Sequence, residues 1–248
     1  MTTVLDRHSR FRDLARLWRL PGVYAPQEDT YLLARALDAE LAPGMDVLDI
    51  GTGSGALALR AARGGARVTA VDVSWRAALT ARLNAARAGQ PITVRRGGIE
   101  RARPEGPFDL VVSNPPYVPA PDHRLPRRGP ARSWDGGRDG RRIVDGICAA
   151  APSLLKPRGV LLIVQSALCG TDATLEALGR AGLDAEVVDR DHIPFGPVLR
   201  SRLPWLRSQG LVEPRQETEE LVVIRAERPR PGPGRRGPRT SRTPEETR

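Results

Sequence analysis

Lysine is nearly missing from this 248-residue chain: Lys156 is the only one among 39 basic residues, so the net charge of +10 is carried by arginine. Such one-sided usage points to nucleotide composition more than to a cationic binding surface, which makes the charge by itself weak ground for a nucleic-acid function. The charge is also uneven. From Arg228 to Arg248 there are seven arginines and two glutamates, giving this end +5 and the rest of the chain the other +5. The stretch Pro229-Arg230-Pro231-Gly232-Pro233-Gly234-Arg235-Arg236-Gly237-Pro238-Arg239 contains no apolar side chain and is expected to be disordered. It is either a solubilising tail or a grip on RNA or the ribosome through counterion release.

Cysteine and histidine are scarce too. Cys148 and Cys169 lie in apolar surroundings and read as small core residues, and His8, His123 and His192 are too scattered for a zinc spacing, so no metal is expected. No apolar run approaches membrane-spanning length, and Asp6, Arg7, Arg10, Arg12 and Asp13 leave no signal-peptide core, so a cytoplasmic protein without membrane contact is expected. There is no internal repeat. With 40% hydrophobic residues the chain can bury one sizeable core.

The most informative residues are Asn114-Pro115-Pro116-Tyr117, which follow the apolar run Phe108 to Ser113 and therefore stand at the carboxyl end of a buried strand, where open α/β sheets place their chemistry. Two prolines stiffen the backbone and leave carbonyls unclaimed. The Asn114 side-chain oxygen and the Pro115 carbonyl can accept from an –NH2 group while Tyr117 packs against the planar group that carries it. This is a holder for an amide or for a nucleobase amine.

Upstream, the apolar strand Asp46 to Ile50 runs into Gly51-Thr52-Gly53-Ser54-Gly55 and then an Ala/Leu-rich helix, Ala56 to Arg63. Strand, glycine turn and helix make a nucleotide-binding start, and a second strand ends in Asp72, 21 residues after Gly51, where a carboxylate can accept from both ribose hydroxyls. These residues alone leave NAD open. The third glycine comes one position earlier than the dinucleotide pattern wants, and Asp49 would repel a pyrophosphate but attract the amino group and sulfonium of S-adenosylmethionine (SAM). SAM is the better fit.

Leu48-Asp49-Ile50-Gly51-Thr52-Gly53-Ser54-Gly55, Val71-Asp72 and Asn114-Pro115-Pro116-Tyr117-Val118-Pro119 resemble the HemK/PrmC family of class I methyltransferases, which modify the glutamine side-chain amide of translation release factors. Val23 to Thr30 resembles the element that the family places over the SAM methionine moiety, and Ser133 to Gly140 its loop after the Asn-Pro-Pro-Tyr motif, so the resemblance spans roughly residues 20 to 227. It implies that Thr30, Asp49, Gly51, Asp72 and Asn114, with Thr52, Gly53 and Gly55 of the glycine turn, contact SAM. It also implies that Asn114, Pro115, Pro116 and Tyr117 form the amide clamp. One position departs: where the family usually has an acidic residue for the adenine amino group, this chain has Gly98, so either Glu100 reaches back or backbone and apolar contacts hold the adenine. The chain looks like the compact archaeal and eukaryotic members, which often need a small activator subunit.

The expected fold is a doubly wound, seven-stranded, mainly parallel α/β sheet, with strands at Met45–Ile50, Arg67–Val71, Ile92–Arg95, Phe108–Ser113, Val160–Gln165, Asp184–Val188 and Glu220–Arg225. The last two form an antiparallel hairpin, and Arg190 to Gly210 is read as a long loop that either reads substrate or packs as a lid. Residues 1–22 are taken as an N-terminal helical extension, 23–227 as the methyltransferase domain and 228–248 as the tail. Phe11, Leu14, Leu17 and Trp18 at helical spacing predict a helix docked on the core, with release-factor or RNA binding as the sharper alternative. Three functions remain: a glutamine-amide methyltransferase acting on a release factor, an N-methyltransferase for an exocyclic amine of rRNA or DNA, and a SAM-binding RNA module without catalysis.

Overall fold

In the computed structural model, which describes residues 14, 16–102, 105–122, 124–126 and 128–230, seven strands form one sheet. They are β1 (Asp46–Ile50), β2 (Arg67–Asp72), β3 (Ile92–Arg96), β4 (Phe108–Ser113), β5 (Leu155–Ser166), β6 (Asp184–Pro194) and β7 (Thr218–Glu227), in the order β3-β2-β1-β4-β5-β7-β6. The first five are mutually parallel; β7 runs antiparallel to both β5 and β6. Helices α1 (Glu28–Glu40), α2 (Ala56–Arg63), α3 (Trp75–Arg87), α4 (Arg142–Leu154), α5 (Thr171–Arg180) and α6 (Pro197–Ser208) supply the connections and cover the faces.

Burial follows the sequence pattern. Val47 to Ile50, Leu110 to Ser113 and Val160 to Ser166 are continuously buried, as strands covered on both faces must be. The edge strand β6 alternates between exposed and half-buried positions along its whole length. Chain order reverses between β1 and β4, whose ends lie side by side with Ile50 opposite Ser113 and the Ser113 hydroxyl donating to the Ile50 carbonyl at 2.8 Å. The glycine turn and Asn114 therefore leave the sheet next to each other, at the crevice where this architecture binds ligands.

The N-terminal segment docks as expected where it is described: Leu14 is fully buried in the core, Leu17 packs on it, and Asn84 of α3 brackets Trp18 by accepting from its N–H and donating to its carbonyl. Phe11, His8 and His123 lie outside the described residues, as does the tail beyond residue 230.

The long loop expected over Arg190 to Gly210 is a correction. The strand continues to Pro194 and the rest is mostly α6. Asp189, Arg190, Asp191 and His192 follow the alternating exposed and half-buried pattern of an edge strand and do not end it. Pro197 sits in the first turn of α6, where a missing N–H costs nothing, and Leu199 and Leu206 pack with Phe195 and Val212 as a small second core. The two strands do pair antiparallel, with this helix between them.

Candidate functional site

The glycine turn is built by three backbone positions with φ of +72°, +55° and +84° at Gly51, Gly53 and Gly55, a region that penalises any Cβ. A Cβ on Gly55 would also lie 3.2 Å from Ala81, so this glycine lets α2 start against α3. Asp72, at the end of β2, accepts from the Gly53 N–H at 3.0 Å and the Ser74 N–H at 2.8 Å, tying the turn to the neighbouring strand. Burial raises its pKa against those two bonds.

Asp49 is the unusual member. It is buried, and one oxygen, Oδ2, accepts from the Thr52 hydroxyl at 2.6 Å and the Ala58 N–H at 3.1 Å. Its other oxygen has no partner. Desolvation accordingly pushes the carboxyl up to about 7. A buried carboxylate with an empty oxygen beneath a glycine turn is an acceptor for a ligand that brings positive charge or N–H groups.

Beside Gly98, the Glu100 side chain folds back: its Oε1 accepts from the Gly98 N–H at 3.0 Å, and a Cβ on Gly98 would come 2.6 Å from Oε2. The space of a side chain at position 98 is thus filled by the carboxylate two residues on.

Asn114 and Tyr117 are held by one carboxylate on α1. Asp29 is buried at the first turn of that helix, and its Oδ2 accepts from Tyr117 at 3.0 Å and from Tyr24 at 2.8 Å. Its Oδ1 accepts from the Thr30 N–H at 2.6 Å and the Thr30 hydroxyl at 3.1 Å. A hydroxyl has one proton, so Thr30 Oγ1 can only accept from Asn114, whose Nδ2 stands 3.3 Å away. The Asn114 amide is thereby oriented with Nδ2 toward Thr30 and Oδ1 left as an acceptor for another group. Burial and then Asp29 raise the pKa of both phenols; for Tyr117 burial and Asp29 are likewise the two largest causes, so both remain donors. The Tyr117 hydroxyl is committed to Asp29, and its ring packs with the core, 9% exposed.

The loop after Tyr117 is braced from behind. The Val118 N–H donates to the Trp134 carbonyl at 2.7 Å, Gly136 returns a bond to Val118 at 3.0 Å, and Arg202 of α6 spans the Pro119 carbonyl and Asp135. The Cys169 thiol donates to the Tyr117 carbonyl at 2.8 Å and is held far above its ordinary pKa by burial, so both cysteines are inert core groups, Cys148 being pushed up to about 11. His192 is exposed on β6. Among the described residues no three His, Cys, Asp or Glu side chains stand together as a metal site.

Thr30, Asp49, Gly51, Thr52, Gly53, Gly55, Asp72 and the Asn114 to Tyr117 clamp thus converge on one crevice. Asp29 and Tyr24 are not singled out by the sequence, although Asp29 holds Thr30, Tyr24 and Tyr117. Their signal is the acid directly before Thr30 and a tyrosine five residues earlier.

Comparison with known proteins accounts for this arrangement. Residues 15–125 match the methyltransferase small domain family. A protein of Methanocaldococcus jannaschii, described as a candidate protein N5-glutamine methyltransferase, is 34% identical over 177 residues, covering 71% of this chain and 88% of that relative. The chain belongs to the HemK-like methyltransferase family. Mouse methyltransferase HEMK2 is 40% identical over 152 residues, covering 57% of this chain and 71% of HEMK2. Among solved structures, the Mtq2–Trm112 complex of E. cuniculi, responsible for methylation of the termination factor eRF1, superposes with a TM-score of 0.58 at 23% identity, over 84% of this chain and 99% of that one. That likeness shows the class I methyltransferase fold of this HemK-like chain, including the antiparallel β5-β7-β6 end.

Proposed function

We propose that this chain uses SAM to methylate the side-chain amide nitrogen of a glutamine in a translation release factor. The observation that carries the reading is the Asp29-Thr30-Asn114 chain, which leaves Asn114 Oδ1 as an acceptor beside the Tyr117 ring. A primary amide stacked on that ring gives one N–H to Asn114 and the other to the Pro115 carbonyl, which holds the nitrogen lone pair in one direction. SAM supplies an already activated methyl group on a sulfonium, so alignment is most of what the protein must add. Asp49, the glycine turn through Gly51, Thr52, Gly53 and Gly55, Asp72, Thr30 and Asn114 are the residues proposed to hold it, and the empty Asp49 oxygen fits a ligand with cationic ends.

Two outcomes follow for the cofactor. Since Asp49 carries a proton below about 7 and must lose it to attract a cation, SAM affinity rises with pH. Calorimetry should find binding about tenfold weaker at pH 6 than at pH 8 in the wild type, with that dependence gone in Asp49→Asn. Glu100 is proposed to take over the adenine amino group. Glu100→Ala should weaken SAM binding by about tenfold, the loss of one hydrogen bond to a charged group, and adding Gly98→Asp should restore most of it. An unchanged Kd in Glu100→Ala would assign the adenine to backbone and apolar contacts.

Partners are proposed on the same footing. The eRF1-methylating Mtq2 is found with Trm112, and a small activator of that kind is proposed here. Contact with RNA or the ribosome through the basic tail is a separate proposal, resting on its +5 charge. No helix among the described residues is long and apolar enough to cross a membrane, and the proposed site of action is the cytoplasm, with the release factors. The test is transfer of labelled methyl from SAM to a ribosome and release-factor fraction, with and without a co-expressed Trm112-type protein. Label lost to protease and mapped to a glutamine supports the reading. Label lost to nuclease moves the substrate to a base amine of RNA, and SAM binding without transfer in both preparations supports a binding-only role.

A further inference from the structure

The clamp segment is short of its own anchors. Three of the six residues from Asn114 to Pro119 are proline, so only Asn114, Tyr117 and Val118 carry a backbone N–H, and strand pairing alone cannot fix a segment so poor in donors. It has to be held through its carbonyls. Those of Tyr117 and Val118 accept from the Cys169 thiol at 2.8 Å and the Gly136 N–H at 3.0 Å, both neutral donors. The Pro119 carbonyl accepts from a cation: Arg202 Nη1 stands 2.9 Å away, and Nη2 of the same guanidinium donates to Asp135 at 2.6 Å.

Pro119 and Asp135 lie on the two sides of a small ribbon. Val118 bridges Asp135 in parallel, and the Ala120 N–H donates to the Gly137 carbonyl at 2.9 Å. Arg202 therefore ties the segment that leaves the clamp to the loop that braces it, with one planar fork across both. The side chains of Arg202 and Asp135 are 17% and 12% exposed, so solvent and salt screen the pair little.

The aim of this fork comes from α6. Leu199, Arg202 and Leu206 are three and four residues apart and share one face of that helix, and the two leucines are buried in the second core, on which Val118 also packs. The bonds of Arg202 go to Pro119 and Asp135 and not to Asn114 or Pro115, so its effect on transfer passes through the loop. The clamp is thus fixed from α1 at Asn114 and Tyr117, through Thr30 and Asp29, and from α6 just beyond it. We propose that Arg202 is a positioning residue of the amide clamp, keeping the Pro115 carbonyl and Tyr117 in register with Asn114 through its hold on Pro119 and Asp135. This rests on the glutamine-amide reading above.

The test is single-turnover methyl transfer to the release factor at saturating SAM for wild type, Arg202→Ala and Arg202→Lys, in whichever preparation methylates it. SAM Kd, SAM-binding stoichiometry and the release-factor concentration for half-maximal rate are measured alongside. Arg202→Ala should transfer about 10²-fold more slowly per bound SAM, the cost of roughly an ångström of misplacement at a reacting centre, with Kd and half-maximal concentration within about twofold of wild type. Arg202→Lys, a point charge without the planar fork, should fall between the two. A purely structural brace would lower the SAM-binding stoichiometry and leave the rate per bound SAM unchanged, and that result overturns the proposal while the glutamine reading stands. A loss carried by SAM Kd or by the half-maximal concentration instead of the rate overturns it too. A wild type that labels no glutamine overturns both. Should Arg202→Ala not fold, Arg202→Lys carries the test, and transfer at the wild-type rate in that variant overturns the proposal.

Discussion

Asn114→Ala is expected to leave SAM binding within about threefold of wild type and to lower methyl transfer by about 10³-fold, the scale seen when one preorganised hydrogen-bond partner is removed from a reacting centre. The reason is directional. Asn114 contributes one acceptor, and that acceptor has one orientation only because Thr30 has spent its proton on Asp29. An alanine leaves the amide free to rotate on the Tyr117 ring, so the nitrogen lone pair loses its alignment. Asn114→Asp is the sharper control. It keeps an oxygen facing the substrate but turns another toward the oxygen of Thr30, which must then redirect its hydroxyl, so the variant should recover less than a tenth of wild-type turnover. Equal turnover in wild type and Asn114→Ala, measured under single-turnover conditions, would remove the clamp from the mechanism.

Much of this crevice is legible in the sequence because its parts are local. The buried, largely apolar strands β1 and β4, and the glycine turn between β1 and α2, each announce themselves within ten residues, and a doubly wound sheet then brings their ends together. The misread portion had conflicting local signals. Alternating charges in β6 suit an exposed edge, and the two prolines of α6 hide a helix whose apolar residues nevertheless recur at helical spacing. Asp29 and Tyr117 could not be paired from the sequence at all. They are 88 residues apart along the chain and meet because the first turn of α1 packs against the loop after β4. The Glu100 carboxylate falls between these cases: it stands two residues from Gly98 in the sequence, and the 3-10 turn at Ile99–Arg101 is what folds it back onto the Gly98 N–H.

Asp29→Ala is expected to damage stability and turnover together, which separates it from the Asn114 variants. Asp29 accepts four hydrogen bonds while 3% exposed, two of them from phenols that would be left as buried donors. Each stranded donor costs roughly 1–3 kcal/mol, so urea denaturation should show a loss of about 3–5 kcal/mol. Turnover should fall by at least about 10²-fold, because a Thr30 hydroxyl no longer committed to Asp29 can donate to Asn114 and stabilise the opposite amide orientation. Tyr117→Phe provides the contrast. It removes one donor and keeps the ring, so it should cost only about 1 kcal/mol and leave transfer within about tenfold of wild type, while Tyr117→Ala should lose transfer almost entirely. If Tyr117→Phe were instead as inactive as Tyr117→Ala, the phenol rather than the ring would be the working part of the clamp. The role of Asp29 would then be to hold that hydroxyl for the substrate, not to withhold it.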